Sequence, residues 1–342
     1  MAGVTTAVAP LRIGVLGVGR IGRLHARVLT RQVPGAIVGA VYDTRARTAQ
    51  EVADELGVPA AGSVAELLRG DVDAIAICST SETHVELLIA AAEAGKAVFC
   101  EKPVSLELSE LDRALAAVDA AGVPFQIGFN RRFDPAHASV RDAVASGAVG
   151  DLQLVRISSR DPEPPPVEYI RGSGGMFLDM MIHDFDMARY VTGSEVVEVF
   201  ARGAVRVDRE FAEAGDIDTA LVTLVHEDGC LTAIDNARRT AYGFDQRVEA
   251  FGSGGMAASE NPLAHTGVVR TSRGTQRPPL PYFFLERYMP SYVREWEAFV
   301  GAMQSGARPP VSGADARAPL VIGLAAARSL RERRAVAVAE IA

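Results

Sequence analysis

Cysteine is scarce. Three occur in 342 residues, Cys78, Cys100 and Cys230, at spacings that match no metal motif and in an odd number that cannot pair completely. This excludes a disulfide framework, so the three read as small core residues. An excess of positive charge is also lacking, since 35 Lys and Arg against 43 Asp and Glu leave a net charge of −8. Neutralising phosphates needs clustered cations facing one way, so a nucleic-acid binder is excluded, and the basic run Arg328 to Arg334 reads as a solvated helix face. No apolar run reaches the ~18 residues of a membrane span. The opening "MAGVTTAVAP" lacks a charged segment followed by a long apolar one. The expectation is a soluble, cytoplasmic protein with no membrane partner. Internal repeats and low-complexity tracts are absent too. What is present, 48% hydrophobic residues over 342 positions, is enough for two cores.

The first half reads as a dinucleotide-binding fold. "LRIGVLGVGRIGRLHARVL" gives a short buried strand, then Gly17, Gly19, Arg20, Ile21 and Gly22, then a helix with Ile21, Leu24, Val28 and Leu29 at helical spacing. This is G-x-G-x-x-G in its required setting. Gly17 permits the tight turn, Gly19 lets the backbone approach a pyrophosphate, and Gly22 lets helix and strand pack, while the helix start offers N–H groups to the anion. A second strand, "AIVGAVYD", ends at Asp43, about twenty residues beyond Gly22, where an acid hydrogen-bonds the adenosine ribose. Asp43 would repel a 2′-phosphate, which favours NAD over NADP, although Arg45 and Arg47 stand close behind.

Strand and helix keep alternating, with a helix at Thr48 to Leu56, a strand "AIAICST", a helix at His84 to Ala94, and then "KAVFCEKP". Such alternation implies a doubly wound parallel sheet whose ligands sit beyond the carboxyl ends of the strands. Ser79, Thr80, Glu101 and Lys102 are therefore cofactor-side candidates. His84 either starts a helix or touches the nicotinamide ribose.

After "FQIGFNRRFDPA" the pattern changes. A helix from about Ala136 to Ser146 leads to alternating segments, "LQLVRISS", "VVEVFARGAV", "ALVTLVHEDGCLTAIDNA" and "QRVEAFGSGGMAAS", which read as strands of a largely antiparallel sheet. "PEPPP" is a stiff connection or a lid. The stretch "GGMFLDMMIHDFDMAR" reads as a helix beginning near Gly175, which brings Asp179 and His183 onto one face, with Asp186 and Tyr190 continuing it and Asp184 rotated away. The pair is either a histidine satisfied by an intrahelical acid or a catalytic couple. A metal site is disfavoured, because His25, His84, His137, His226 and His265 fall in segments that supply no further ligands.

The motifs GVGRIG, CEKP, "GFNRRFDP", "SRDPEPPP", "SGGMFLDMMIHDFDMAR" and "FFLERYMPSYVREWEAFV" together resemble the glucose-fructose oxidoreductase/inositol dehydrogenase (Gfo/Idh/MocA) family, and within it the bacterial inositol 2-dehydrogenases. The first two mark only the superfamily; the aspartate-histidine stretch with "SRDP" is more specific. The resemblance implies a catalytic set of Lys102, Asp179 and His183, with a cis Lys102–Pro103 bond as in relatives. It further implies a polyol pocket lined by Arg132, Asp161, Tyr242 and Tyr288, and a homotetramer that covers the open sheet. The expected architecture is an α/β Rossmann domain with a doubly wound parallel sheet over residues 10–130. An α+β domain over 131–342 follows, with a large, mainly antiparallel open sheet and a C-terminal helix at about 315–331 packing back on the first domain.

Chemistry supports this reading independently. Oxidising a secondary alcohol requires a hydride acceptor, here NAD, and a base for the proton. His183 suits the second task because imidazole titrates near ~6.5. Asp179 could orient it and stabilise the imidazolium, and Lys102 could donate a hydrogen bond to the reacting oxygen. The expected reaction is oxidation of myo-inositol at C2. Scyllo-inositol, another isomer or an aldose is the alternative substrate, and a non-enzymatic NAD-responsive regulator is the alternative class.

Overall fold

The computed structural model describes residues 9–341, so the reading of the first eight residues lies outside the described residues, as does position 342. The chain divides into two compact units, one running up to Asn130 and resuming over Tyr292–Arg317, the other comprising Arg131–Ser291 and the chain from Ala318 onward.

The first unit opens with β1 (Leu11–Leu16), α1 (Arg20–Arg31), β2 (Ala36–Tyr42), α2 (Ala46–Leu56), α3 (Val64–Arg69) and β3 (Ala74–Ile77). It continues with α4 (His84–Glu93), β4 (Ala97–Glu101), α5 (Leu108–Ala121) and β5 (Phe125–Gly128). The five strands form one sheet in the order β2-β1-β3-β4-β5, and every pairing is parallel. Residues 74–77 are buried without exception, as a strand covered on both faces must be. Helix ends follow their local chemistry. α2 stops at Gly57, whose φ of 69° is left-handed, and α3 starts where the Ser63 side chain accepts the Glu66 N–H.

The second unit contains α6 (Pro135–Ala145), β6 (Leu152–Arg160), α7 (Val167–Gly172), α8 (Ile182–Thr192), β7 (Val196–Ala204) and α9 (Glu210–Glu213). Next come β8 (Thr219–His226), β9 (Leu231–Ala237), β10 (Asp245–Gly252), β11 (Gly255–Ser259) and the hairpin β12 (Val269–Thr271) and β13 (Gly274–Gln276). The chain ends with α10 (Phe284–Arg287), α11 (Met289–Ser305), α12 (Gly313–Glu332) and β14 (Val336–Ala337). Seven strands pair in the order β11-β10-β6-β9-β8-β7-β14, antiparallel except for β6 with β9. Alternation along β8 sends Val222 and Leu224 into a core with Met181, Phe185, Val155 and Ile157, while Leu221 on the other face stays 63% exposed.

The helix expected at about 315–331 is α12, which from Ala318 onward lies in the second unit, where Ile322, Ala325 and Ala326 join the core. It is α11 that serves the first unit, stacking Trp296 against Phe99 with ring centroids 4.3 Å apart. The helix expected from Gly175 is not uniform. Met176–Met180 forms a π turn closed by Met181 N–H to the Met176 carbonyl at 2.9 Å, and α8 begins only at Ile182. No helix among the described residues is long and apolar enough to cross a membrane.

Candidate active site

The glycine turn after β1 has the shape a dinucleotide needs. Gly17 has φ +83°, and a Cβ there would lie 2.6 Å from the Ser79 backbone; a Cβ on Gly22 would lie 1.8 Å from the Gly17 carbonyl oxygen. Gly19 differs, since a Cβ would meet nothing within 4 Å. It is the cap of α1 and brings no side-chain hydrogen bond, so the amides of the first turn face the open space beside it. Asp43, just past β2, accepts the Val18 N–H at 3.0 Å and the Arg45 N–H at 2.9 Å, which fixes its carboxylate next to the glycine turn. The Arg45 guanidinium lies 3.5 Å from that carboxylate and is largely exposed. Turn, helix start and acid thus fit a dinucleotide. Arg20 is exposed on this turn and Ile21 is half-buried.

At the carboxyl edge of the sheet, Ser79 is half-buried and Thr80 exposed. His84, at the start of α4, is buried, and both ring nitrogens meet backbone carbonyls: Nδ1 that of Pro103 at 2.8 Å and Nε2 that of Ser79 at 3.0 Å. Burial lowers its proton affinity, against the pull of the two carbonyls. His84 therefore clamps the end of β3 to the segment after β4.

Lys102 directly follows β4 ahead of a cis bond to Pro103. Its backbone N–H donates to Glu101 Oε2 at 3.2 Å, and Glu101 Oε1 lies 2.7 Å from His25 Nε2. Trp296 Nε1–H donates to His25 Nδ1 at 2.8 Å. An indole can only donate, so His25 Nδ1 is the acceptor and Nε2–H is the donor to Glu101. The cofactor-edge acid is thus held by a relay drawn from α1 and α11, which the sequence did not reveal.

The second unit carries the acids. Asp179, in the π turn, is 9% exposed; Tyr169 Oη–H donates to its Oδ1 at 2.9 Å and Arg238 Nη1 lies 3.2 Å from its Oδ2. His183 follows one turn later and is half-buried, whereas its neighbours Ile182 and Asp184 are buried. Asp161 sits 3.8 Å from the same Arg238 nitrogen, and burial pushes its carboxyl up to about 6, against the pull of Arg238 and Arg131.

The remaining candidates are each held by hydrogen bonds or ion pairs. Asp184, rotated away as expected, accepts from Arg131 at 2.8 Å, Ser159 at 2.6 Å and Asn236 at 2.7 Å. Arg132 grips Asp186 with two nitrogens, at 2.9 and 2.6 Å, and lies over the Tyr190 ring. Tyr242 is half exposed and donates to Asp245 at 2.9 Å. Tyr288 is 1% exposed, with its hydroxyl 3.3 Å from His137 Nε2. The structure gathers Asp161 and Asp179 around Arg238. Arg238 and Tyr169 escaped sequence reasoning; the only available signal was an arginine directly after a strand that ends beside Asp161. Among the described residues, no three His, Cys, Asp or Glu side chains gather as metal ligands would.

Comparison with known proteins follows the two units. The family profile described as "Oxidoreductase family, NAD-binding Rossmann fold" matches residues 11–129, and that described as "GFO/IDH/MocA C-terminal domain" matches 137–258. The chain is 48% identical over 333 residues to the myo-inositol 2-dehydrogenase of Thermotoga maritima, covering 97% of this chain and 99% of that protein. It is 42% identical over 329 residues to the inositol 2-dehydrogenase of Rhizobium meliloti, covering 96% and 99%. The structure of scyllo-inositol dehydrogenase from Lactobacillus casei with bound cofactor NAD(H) and scyllo-inositol matches with a TM-score of 0.90 at 28% identity, covering 96% and 99%.

Proposed function

The chain belongs to the GFO/IDH/MocA oxidoreductase family, and from that premise we propose that it oxidises myo-inositol at C2 to 2-keto-myo-inositol with NAD. The observation that carries this reading is the pairing, in one chain, of a dinucleotide-shaped glycine turn with a cluster of two acids, an arginine, a tyrosine and a half-buried histidine. A substrate of many hydroxyls needs such a surface, because each buried hydroxyl left unpaired costs about 1–3 kcal/mol.

NAD, when bound, supplies the hydride acceptor. The remaining work falls to the protein. His183 takes the hydroxyl proton, since a neutral imidazole is a competent base near pH ~7. Asp179, anionic between Tyr169 and Arg238, stabilises the resulting imidazolium. Lys102 donates a hydrogen bond to the oxygen as negative charge develops on it. Asp43 favours NAD over NADP, because its fixed carboxylate would oppose a 2′-phosphate. Arg132, Asp161 and Tyr242 contribute to substrate binding.

The protein acts in the cytoplasm on a small cyclitol, without a nucleic-acid partner, as a homotetramer assembled through the open sheet. Leu221, Leu231, Phe251 and Met256, each more than 40% exposed, support that assembly. Scyllo-inositol is the second reading, supported by the solved relative that binds it. The test is NADH formation with a panel of inositol isomers and aldoses, each with NAD and NADP. The expected result is the highest kcat/KM for myo-inositol with NAD. Turnover only with scyllo-inositol or an aldose would move the substrate assignment, and tight NAD binding without turnover of any polyol would favour a sensor.

A further inference from the structure

Arg238 is a buried cation, 3% exposed in its side chain, at a place that topology dictates. β6 and β9 run parallel with Arg160 opposite Ala237, so the next residues on the two strands, Asp161 and Arg238, leave the sheet side by side. The Asp161 N–H donates to the Ala237 carbonyl at 3.0 Å, which holds that arrangement. One guanidinium nitrogen, Nη1, then serves two carboxylates, at 3.2 Å from Asp179 and 3.8 Å from Asp161. Nε and Nη2 are buried without an acceptor among the described residues, so the guanidinium is not fully matched by these acids.

The two acids are treated unequally. Asp179 has a second donor, the Tyr169 hydroxyl from α7, and Arg238 lies within hydrogen-bond reach. Asp161 has only the longer approach. Burial raises its carboxyl to about 6, with Arg238 and Arg131 opposing and the Asp179 and Asp184 charges reinforcing. Arginine does not titrate in proteins, so Arg238 is the constant charge against which both acids are set.

Building on the dehydrogenase reading, we infer that Arg238 is a positioning residue that acts through Asp179, fixing the orientation and the negative charge of that carboxylate one helical turn before His183. Removing the cation leaves the Asp179 charge uncompensated one turn before His183, and an uncompensated carboxylate raises the proton affinity of the imidazole that must be neutral to act as base. Activity is then lost at a higher pH on the acidic side. A merely structural ion pair would lower stability without moving that limb.

The test uses the full chain with Arg238→Met and Arg238→Lys. For Arg238→Met the expected kcat/KM for inositol at neutral pH falls about 100-fold, the scale of one charge-assisted hydrogen bond. NADH affinity stays within twofold, and the acidic limb of the pH profile moves up by about one unit. Arg238→Lys should recover about tenfold of the lost kcat/KM, because a charge returns without the fork geometry. A folded Arg238→Met protein with the wild-type acidic limb overturns the inference. If that variant does not fold, Tyr169→Phe removes the other donor to the same carboxylate and must move the limb upward; an unmoved limb also overturns it. Infrared titration of protein carrying 13C-labelled aspartate carboxyls, with Asp179→Asn to assign the band, reads Asp179 without any substrate. If the wild type oxidises no inositol, the dehydrogenase reading fails. An upward titration shift in Arg238→Met would still support the countercharge role, and no shift would refute it.

Discussion

Two alanine substitutions in the glycine turn separate cofactor binding from folding. At Gly22 a Cβ would lie 1.8 Å from the Gly17 carbonyl oxygen and 2.9 Å from its carbon, both backbone atoms that cannot rotate aside. An ordinary carbon–oxygen contact is roughly 3.3 Å, so α1 and the turn must separate by about 1.5 Å. Overpacking of this kind costs about 2 kcal/mol, a fall in Tm of roughly 4–8 °C for a domain this size. The helix-start amides move with it, and losing one or two charge-assisted bonds to the pyrophosphate weakens NAD about 100-fold. At Gly19 a Cβ meets nothing within 4 Å and φ is −64°, so Gly19→Ala should melt within about 1 °C of wild type. Its methyl group nonetheless stands where the pyrophosphate must approach, so NAD affinity should again fall about tenfold or more. Thermal melting by circular dichroism and NADH fluorescence titration read the two effects separately. Wild-type NAD affinity in Gly19→Ala would refute the placement of the pyrophosphate at this turn.

Three further outcomes follow from the geometry. His183→Ala should lower kcat by about 10²–10⁴-fold, the range for a lost general base, while NADH titration stays at the wild-type value; full turnover removes His183 from the chemistry. His137 is held neutral by burial, its proton affinity lowered to about 3, so it adds stability that is complete above the unfolded value near 6.5 and is lost as pH falls toward 3. Urea midpoints at pH 7 and 5 should differ more for wild type than for His137→Asn, by up to about 1.4 kcal/mol per pH unit, and an equal difference counts against this. Trp296→Phe removes the one donor to His25 Nδ1 among the described residues and leaves a buried acceptor unpaired, at a cost of about 1–3 kcal/mol. Because Trp296 is the sole tryptophan, the variant's melting is followed by circular dichroism, and an unchanged Tm would contradict the relay.

The sequence announces local geometry better than it announces partners. The β1 turn is readable because Gly17 takes a positive φ and Gly22 lies against the Gly17 carbonyl, both local constraints, and β3 is readable because every residue of Ala74–Ile77 is apolar and buried. α5 carries a weaker pattern, since its buried positions, Leu111, Ala114 and Val118, include an alanine. For α12, periodicity identifies the face carrying Ile322, Ala325 and Ala326 as buried but cannot say against which unit. The π turn at Met176–Met180 has no residue signature of its own, because an i to i+5 bond is chosen by the packing of the whole segment.

The same distinction governs the site. Asp179 and His183 stand four residues apart and can be read as a pair, but the cation that meets Asp179 is Arg238, 59 positions later. The tautomer of His25 is fixed by Trp296, 271 positions away. Charge type carries part of the missing information. The chain has only two lysines, and Lys96 is spent on the Val72 carbonyl at 2.7 Å. The buried ion pairs of the second unit use arginine instead, as in Arg131 with Asp184 and Arg287 with Asp134, where a planar fork can meet a carboxylate. A lysine kept at 102, in a protein that otherwise relies on arginine for its cations, argues for a compact point donor aimed at a single oxygen. On that reasoning Lys102→Arg should fail to restore the activity that Lys102→Ala removes, and an arginine variant with wild-type kcat would show that only the charge matters.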